Sequence, residues 1–240
     1  MKLKAISIAA GAVAGIALAL PQAASATLVL QGPQDFQGTG LGTVNTILTI
    51  QSPGSSSFEA GAVGRSPGGA TDVISGDAKT GASQTQTRSV SSLGLTSAAD
   101  IRVVFNALEP GNADQSISLT NLQLSIYNPS GGLLFNSGVF TPVNFADTFT
   151  GAGNSGFVFA LDSAQAAAAQ AAAFSGGGFG SNLIGLTAAA SNATGGLETF
   201  FVASGGGAVT TPVPEPETYA LMLAGLGALG FVAKRRRKVD

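Results

Sequence analysis

The sequence predicts a mainly β protein: a two-layer antiparallel β-sandwich, jelly-roll-like, with one short Ala-rich helix, flanked by an N-terminal signal helix and a C-terminal transmembrane helix. Three observations carry this. Only 10% of residues are charged while Gly accounts for 34, too little charge for the wet faces of a helical bundle and well suited to short strands and many turns. Apolar and polar residues alternate in short runs, most plainly from Ile117 to Tyr127. Between the two ends, one segment alone, Asp162 to Ala173, has helix-forming composition. A barrel or a β-solenoid is the alternative architecture, but a solenoid needs a short repeat and none is visible.

The first 26 residues read as a secretory signal peptide. Met1-Lys2-Leu3-Lys4 is a basic start, Ala5 to Leu20 is a continuous apolar run, and Pro21 breaks it. Ala24 and Ala26 flank Ser25 in the small-residue pattern that signal peptidase cuts, here before Thr27. An uncleaved N-terminal anchor is the competing reading.

Residues 27–203 form the expected exported domain. Thr27 to Leu30 and Thr43 to Ile50 read as strands around a Gly38-Thr39-Gly40 turn. Gln51 to Ser97 is the least patterned stretch, with Ser-Pro-Gly turns at Ser52 and Ser66 and a short apolar piece at Asp72-Val73-Ile74. Ala82 to Ser92 is polar and reads as an edge strand or exposed loop. Ile101 to Phe105 is a strand ended by Glu109-Pro110-Gly111-Asn112.

From Ile117 the apolar phase is even-spaced until Thr120-Asn121, where it shifts by one residue. A strand keeps one face buried through such a shift only if a bulge absorbs the extra residue. Asn128 to Gly132 then turns the chain into Leu133-Leu134-Phe135 as a hairpin partner. Phe157 to Leu161 is another strand. Asp162 or Ser163 caps a helix through Ala173, about three turns long, which Ser175-Gly176-Gly177-Gly178 stops. Leu183 to Leu186 and Glu198 to Val202 close the domain, and residues 204–212 form a Gly/Thr-rich linker.

Charge narrows the function classes. With the end segments removed, four basic residues (Arg65, Lys79, Arg88, Arg102) face ten acids, a net of about −6. A nucleic-acid binder needs a basic face, and none is present. The chain has no Cys and no His, so disulfides, thiol and imidazole chemistry and histidine zinc sites are all excluded. Oxygen ligands for Ca²⁺ could come from Asp72 with Asp77, or Asn112 with Asp114, though neither pair matches an EF-hand loop; solvated turn residues are the expected role of these side chains. A carboxylate pair able to hydrolyse glycosides has no recognisable context, so no catalytic residue and no cofactor are expected.

Residues 213–238 are built differently. Val213-Pro214-Glu215-Pro216-Glu217 leads into an apolar run from Tyr219 to Ala233, followed by Lys234, Arg235, Arg236, Arg237 and Lys238. The run has 15 residues, about 22 Å as a helix against roughly 30 Å of hydrocarbon, so it spans only with snorkelling and local thinning. The basic cluster places the C-terminus in the cytoplasm. Gly225, Gly227 and Gly230 spell a dinucleotide pattern, but no strand precedes them and the chain ends ten residues later; they are small residues of a membrane helix. Asn192-Ala193-Thr194 matches a glycosylation sequon without a host context to use it.

In order, spacing and terminal placement, this tail resembles the PEP-CTERM sorting signal of Gram-negative bacteria. The resemblance implies recognition of Pro214, Glu215 and Pro216 by an exosortase-type membrane protease, after passage through the secretion translocon and signal peptidase. It implies a transient inner-membrane anchor, then a cell-surface or extracellular-matrix destination, with exopolysaccharide and biofilm as the setting. A plain C-terminal anchor with a Pro-rich hinge is the competing reading. Residues 156–204 also resemble the closing part of β-sandwich domains in proteins with this tail. The expected protein is therefore exported and non-enzymatic; the alternative is a carbohydrate-binding module or glycoside hydrolase acting on exopolysaccharide.

Overall fold

The computed structural model describes residues 28–35, 46–52, 56–81, 84–107, 116–145, 155–193 and 196–205. All of them fall within one compact unit, Ser25–Val213. The expected signal and transmembrane helices lie outside the described residues, among which no helix is long and apolar enough to cross a membrane.

The chain forms β1 (Leu28–Asp35), β2 (Thr46–Ile50), β3 (Phe58–Arg65), β4 (Asp72–Gly76), β5 (Arg88–Ser89) and β6 (Ile101–Asn106). There follow β7 (Ile117–Tyr127), β8 (Leu133–Asn136), β9 (Val143–Phe145), β10 (Ser155–Leu161), helix α1 (Ser163–Ala169), β11 (Leu183–Ser191) and β12 (Glu198–Ser204). Two antiparallel sheets result. The first runs β1-β10-β6-β12-β2; the second runs β4-β3-β11-β7-β8, with β5 against β11 and β9 against β7.

One apolar cluster joins the two sheets. Leu48, Phe105, Phe159 and Phe200 come from the first, and Leu122, Leu124, Ile126 and Leu186 from the second. Phe105 stacks on Phe200 at 4.8 Å between ring centroids. Each such side chain contributes about 1.5–3 kcal/mol by leaving water. In a chain without Cys, this burial must hold the domain together.

The bulge expected in β7 is present. Leu119 pairs with Ala190 and Asn121 with Ala189, so Thr120 has no cross-strand partner on β11. Its hydroxyl donates instead to the Ala189 carbonyl at 3.1 Å. The extra residue lets Ile117 and Leu119 share the buried face with Leu122, Leu124 and Ile126.

The stretch from Gln51 to Ser97 carries more structure than its composition suggests. It holds β3, whose inward positions include Gly61; a Cβ there would come within 2.7 Å of the Ile50 side chain, so β3 and β2 approach closely because that position is bare. Of the stretch 82–92 expected as an edge strand or exposed loop, Arg88–Ser89 is the short strand β5 against β11, and Ser91 and Ser92 are exposed. Residues 77–81 and 84–88 run along the outer edge of β2. Lys79 and Gln86 N–H groups donate to the Thr49 and Ile47 carbonyls, and Gln51 N–H donates to the Asp77 carbonyl. Thr85 Oγ1 accepts from Thr49 N–H at 3.2 Å, and Arg88 Nε donates to the Thr46 carbonyl at 3.3 Å. These bonds satisfy an edge that would otherwise recruit another strand, and all five β2 residues are buried.

Asp162 is the helix cap, its carboxylate accepting from Gln165 N–H at 2.8 Å. The helix passes at Gln170–Phe174 into a wider π turn. Ala166, Ala169, Ala173 and Phe174 form its buried side. Gln170 Oε1 accepts from Ala98 N–H at 2.9 Å, tying the helix to the 3-10 turn Ala98–Asp100.

Candidate functional site

The residues that the sequence singles out for sorting lie outside the described residues: Ala24 and Ala26, Pro214, Glu215 and Pro216, and the cluster Lys234, Arg235, Arg236, Arg237, Lys238. Asn112 and Asp114 lie outside them as well. Asn192 is exposed in a left-handed conformation with φ 63°, and its Nδ2 donates to the Ser116 carbonyl and hydroxyl at 2.9 Å each. The sequon's amide is thus already engaged in holding a turn.

The acids expected as solvated turn residues are hydrogen-bond acceptors of the framework. Asp72 is half-buried, pairs with Arg65 at 3.2 Å and accepts from the Thr87 N–H and hydroxyl. Asp77 accepts from Ala60 N–H at 3.0 Å. Among the described residues no group of three or more acids is placed to hold a metal ion. Glu59 and Glu198 are buried at 3% and 0% exposure, which closes both carboxylates to any bulky substrate. Glu59 accepts from Ser52 N–H at 2.9 Å. Arg102, also buried, donates to the Ala99 and Ile101 carbonyls; burial lowers its pKa from the ordinary value, and nearby Asp100 opposes that shift.

A different kind of surface covers the outward side of the second sheet. Alternation on β7 sends Ile117, Leu119, Leu122, Leu124 and Ile126 into the core. The intervening residues point the other way: Ser118, Asn121, Gln123, Ser125 and Tyr127. In register beside them, β11 presents Thr187 opposite Gln123 and Gly185 opposite Ser125. β3 adds Ala60, Ala62 and Gly64, with Phe58 half-exposed at one end. None of these outward residues is charged.

Tyr127 has an unusual seat on that surface. A Cβ placed on Gly64 would come within 2.5 Å of the Tyr127 hydroxyl oxygen and 3.1 Å of the ring carbon that bears it. The side chain therefore reaches from β7 across β11 to Gly64 on β3 and lies against the sheet. Such covering of sheet glycines by an aromatic ring shields backbone otherwise open to water. Among the described residues, no hydrogen bond engages the side-chain amides of Asn121 and Gln123 or the Thr187 hydroxyl.

Beyond the Tyr127 end lies a groove of about 420 Å³, lined by Pro129, Ala172, Ala173, Gly176–Gly178, Phe179, Ser181 and Asn182. It has no charged wall. Sequence reasoning did not single out Asn121 or Gln123, and it weighed Tyr127, the one Tyr before the tail in a chain without Trp, as too sparse an aromatic platform to favour sugar stacking. The available signal was the polar half of the β7 alternation, which contains amides and a Tyr but no Lys, Arg, Asp or Glu.

Comparison with known proteins adds information at one place. A family model described as the PEP-CTERM protein-sorting motif matches residues 212–237. No curated protein and no solved structure shows a significant match to the chain. The chain therefore carries a PEP-CTERM sorting signal, the mark of an exported protein handled by an exosortase-type membrane protease.

Proposed function

From this C-terminal sorting signal we propose that the chain is a non-enzymatic β-sandwich protein, delivered to the cell surface or extracellular matrix and associated there with exopolysaccharide. The observation that carries the reading is the motif match at 212–237, directly after the last strand and its short linker. The order of events follows from the residues. The translocon exports the chain, signal peptidase cuts after Ala26, and Tyr219 to Ala233 holds the product briefly in the inner membrane. Lys234 to Lys238 stay in the cytoplasm. The protease then acts at Pro214-Glu215-Pro216, where paired prolines keep the backbone extended and out of helix.

Two observations support the rest. Glu59 and Glu198 are buried and Asp72 and Asp77 are taken up by framework hydrogen bonds, an arrangement that supports a structural protein over a glycoside hydrolase. The jelly-roll reading is supported by strand order: β2-β12-β6-β10 in one sheet faces β3-β11-β7-β8 in the other. Along those eight strands the chain changes sheet at every step except the β7–β8 hairpin, as two Greek keys require.

Replacing Pro214, Glu215 and Pro216 by Ala should leave the protein at the inner membrane with its tail intact. Intact-mass measurement of the released and membrane fractions checks this. An unchanged released mass in the triple variant would refute processing at this site.

A further inference from the structure

We propose that the outward face of the second sheet binds a neutral polysaccharide chain, laid along β11 between Phe58 and Tyr127, with Asn121, Gln123 and Thr187 as its hydrogen-bonding centre. The inference rests on the surface or matrix destination proposed above and gives it a molecular contact.

Three features of the face select the occupant. The first is charge. The mature region is about −6 overall, yet the outward residues of β3, β11 and β7 include no charged side chain. A nucleic acid or other polyanion would find no cation there, and a polycation no carboxylate. The matching partner is uncharged.

The second is the polar centre. Asn121 and Gln123 stand two residues apart on β7, about 7 Å along the strand, and Thr187 lies directly across from Gln123. Their amides and hydroxyl have no partner among the described residues, so they offer donors and acceptors in pairs to a ligand rich in hydroxyl groups. A protein partner would be anchored differently, by aromatic or aliphatic side chains at the middle of the contact. Here the middle is amide and hydroxyl, and the rings stand at the two ends.

The third is the ring geometry. The hydroxyl end of Tyr127 reaches over Gly64 on β3, where the missing Cβ leaves room for it, and the side chain stays partly exposed. The apolar face of a sugar ring stacks on an aromatic plane presented in this way. Phe58 is opposite Ser191 and Tyr127 opposite Leu183, eight residues apart on β11, roughly 27 Å of extended strand. That length suits a chain of several sugar units and exceeds a single small molecule.

The test is native affinity electrophoresis of the protein as exported and released by its host, in gels containing hydroxyethylcellulose, dextran or galactomannan, with alginate as the anionic counterpart. We expect retardation in at least one neutral gel, to the same degree at low and high salt. Tyr127→Ala and Gln123→Ala should each weaken it roughly tenfold, equivalent to about 1.4 kcal/mol. Thr199→Ala on the first sheet should leave it unchanged, and melting curves verify that each variant is folded. No retardation in any neutral gel, retardation in alginate alone, or equal retardation of both variants and the parent overturns the inference. So does a solution dimer that Gln123→Ala dissociates, which would assign the face to a second copy of the chain. A protein that is processed and released normally but fails in the gels refutes this inference and leaves the sorting proposal standing.

Discussion

The two sheets share one core but differ on their outward sides. On the first sheet, Val104, Val158 and Phe201 lie side by side in register and form a second apolar cluster, each nearly or wholly buried. On the second sheet the corresponding side is made mostly of small, amide and hydroxyl residues, of which Ser118, Asn121, Gln123 and Thr187 remain partly open while Ser125, Gly185 and Ala189 are buried. The strands reflect this. Ile101 to Phe105 is buried at every position and apolar at all but Arg102, whereas the sequence of β7 alternates residue by residue apart from its bulge. A strand covered on both faces has no use for alternation, and one covered on a single face requires it. Local hydropathy pattern thus reports how many sides of a sheet are covered, even where it does not report which strands are neighbours.

The largest expected effect comes from carrying the polarity of one face onto the other. Val104→Asp would place an unpaired carboxylate in the sealed cluster of the first sheet, costing about 3–4 kcal/mol of stability in urea denaturation. A cost below about 1 kcal/mol would mean that this face is open after all, and the contrast between the sheets would fail.

An intermediate effect tests the close approach of β11 to β3. A Cβ at Gly185 would run into the carbonyl oxygen of Val63, which is backbone and cannot swing aside. Gly185→Ala should therefore cost roughly 1–3 kcal/mol in the same assay. A neutral result would show that β3 and β11 are less tightly apposed than described. The smallest effect belongs to the open face itself: Gln123→Ala should change stability by less than about 0.5 kcal/mol. That small value, set beside a lost polysaccharide contact, would separate a binding residue from a framework residue.

Much of the fold was legible because the signals are local. β6, β7 and β10, the helix with Asp162 as cap, and the need for a bulge at Thr120-Asn121 follow from residues within a few positions of one another. β3 was hidden by its own composition: Gly61 and Gly64 weaken the strand pattern, and they are there for close approach to β2 and to Tyr127. Residues 77–81 and 84–88 were hidden for another reason. They lie against β2 through bonds such as Thr49 to Thr85, 36 residues apart, and a polar stretch that satisfies a distant strand edge reads in isolation like any loop. The candidate binding face was half legible, since alternation named the outward residues of β7 while only strand pairing set Thr187 beside Gln123.

By itself the sequence determined the sorting tail and the β-rich class. A sorting signal is read as a linear string, and its meaning resides in order and spacing over residues 212–237. Strand alternation and helix capping are likewise decided within a turn or two of chain. Tertiary structure decided which sheet each strand joins, that residues 77–81 and 84–88 close the edge of β2, and that the Tyr127 hydroxyl end lies over Gly64. Each of these depends on segments far apart in sequence meeting in one register. Their energies come from shared burial and paired backbone groups, which no single segment carries alone.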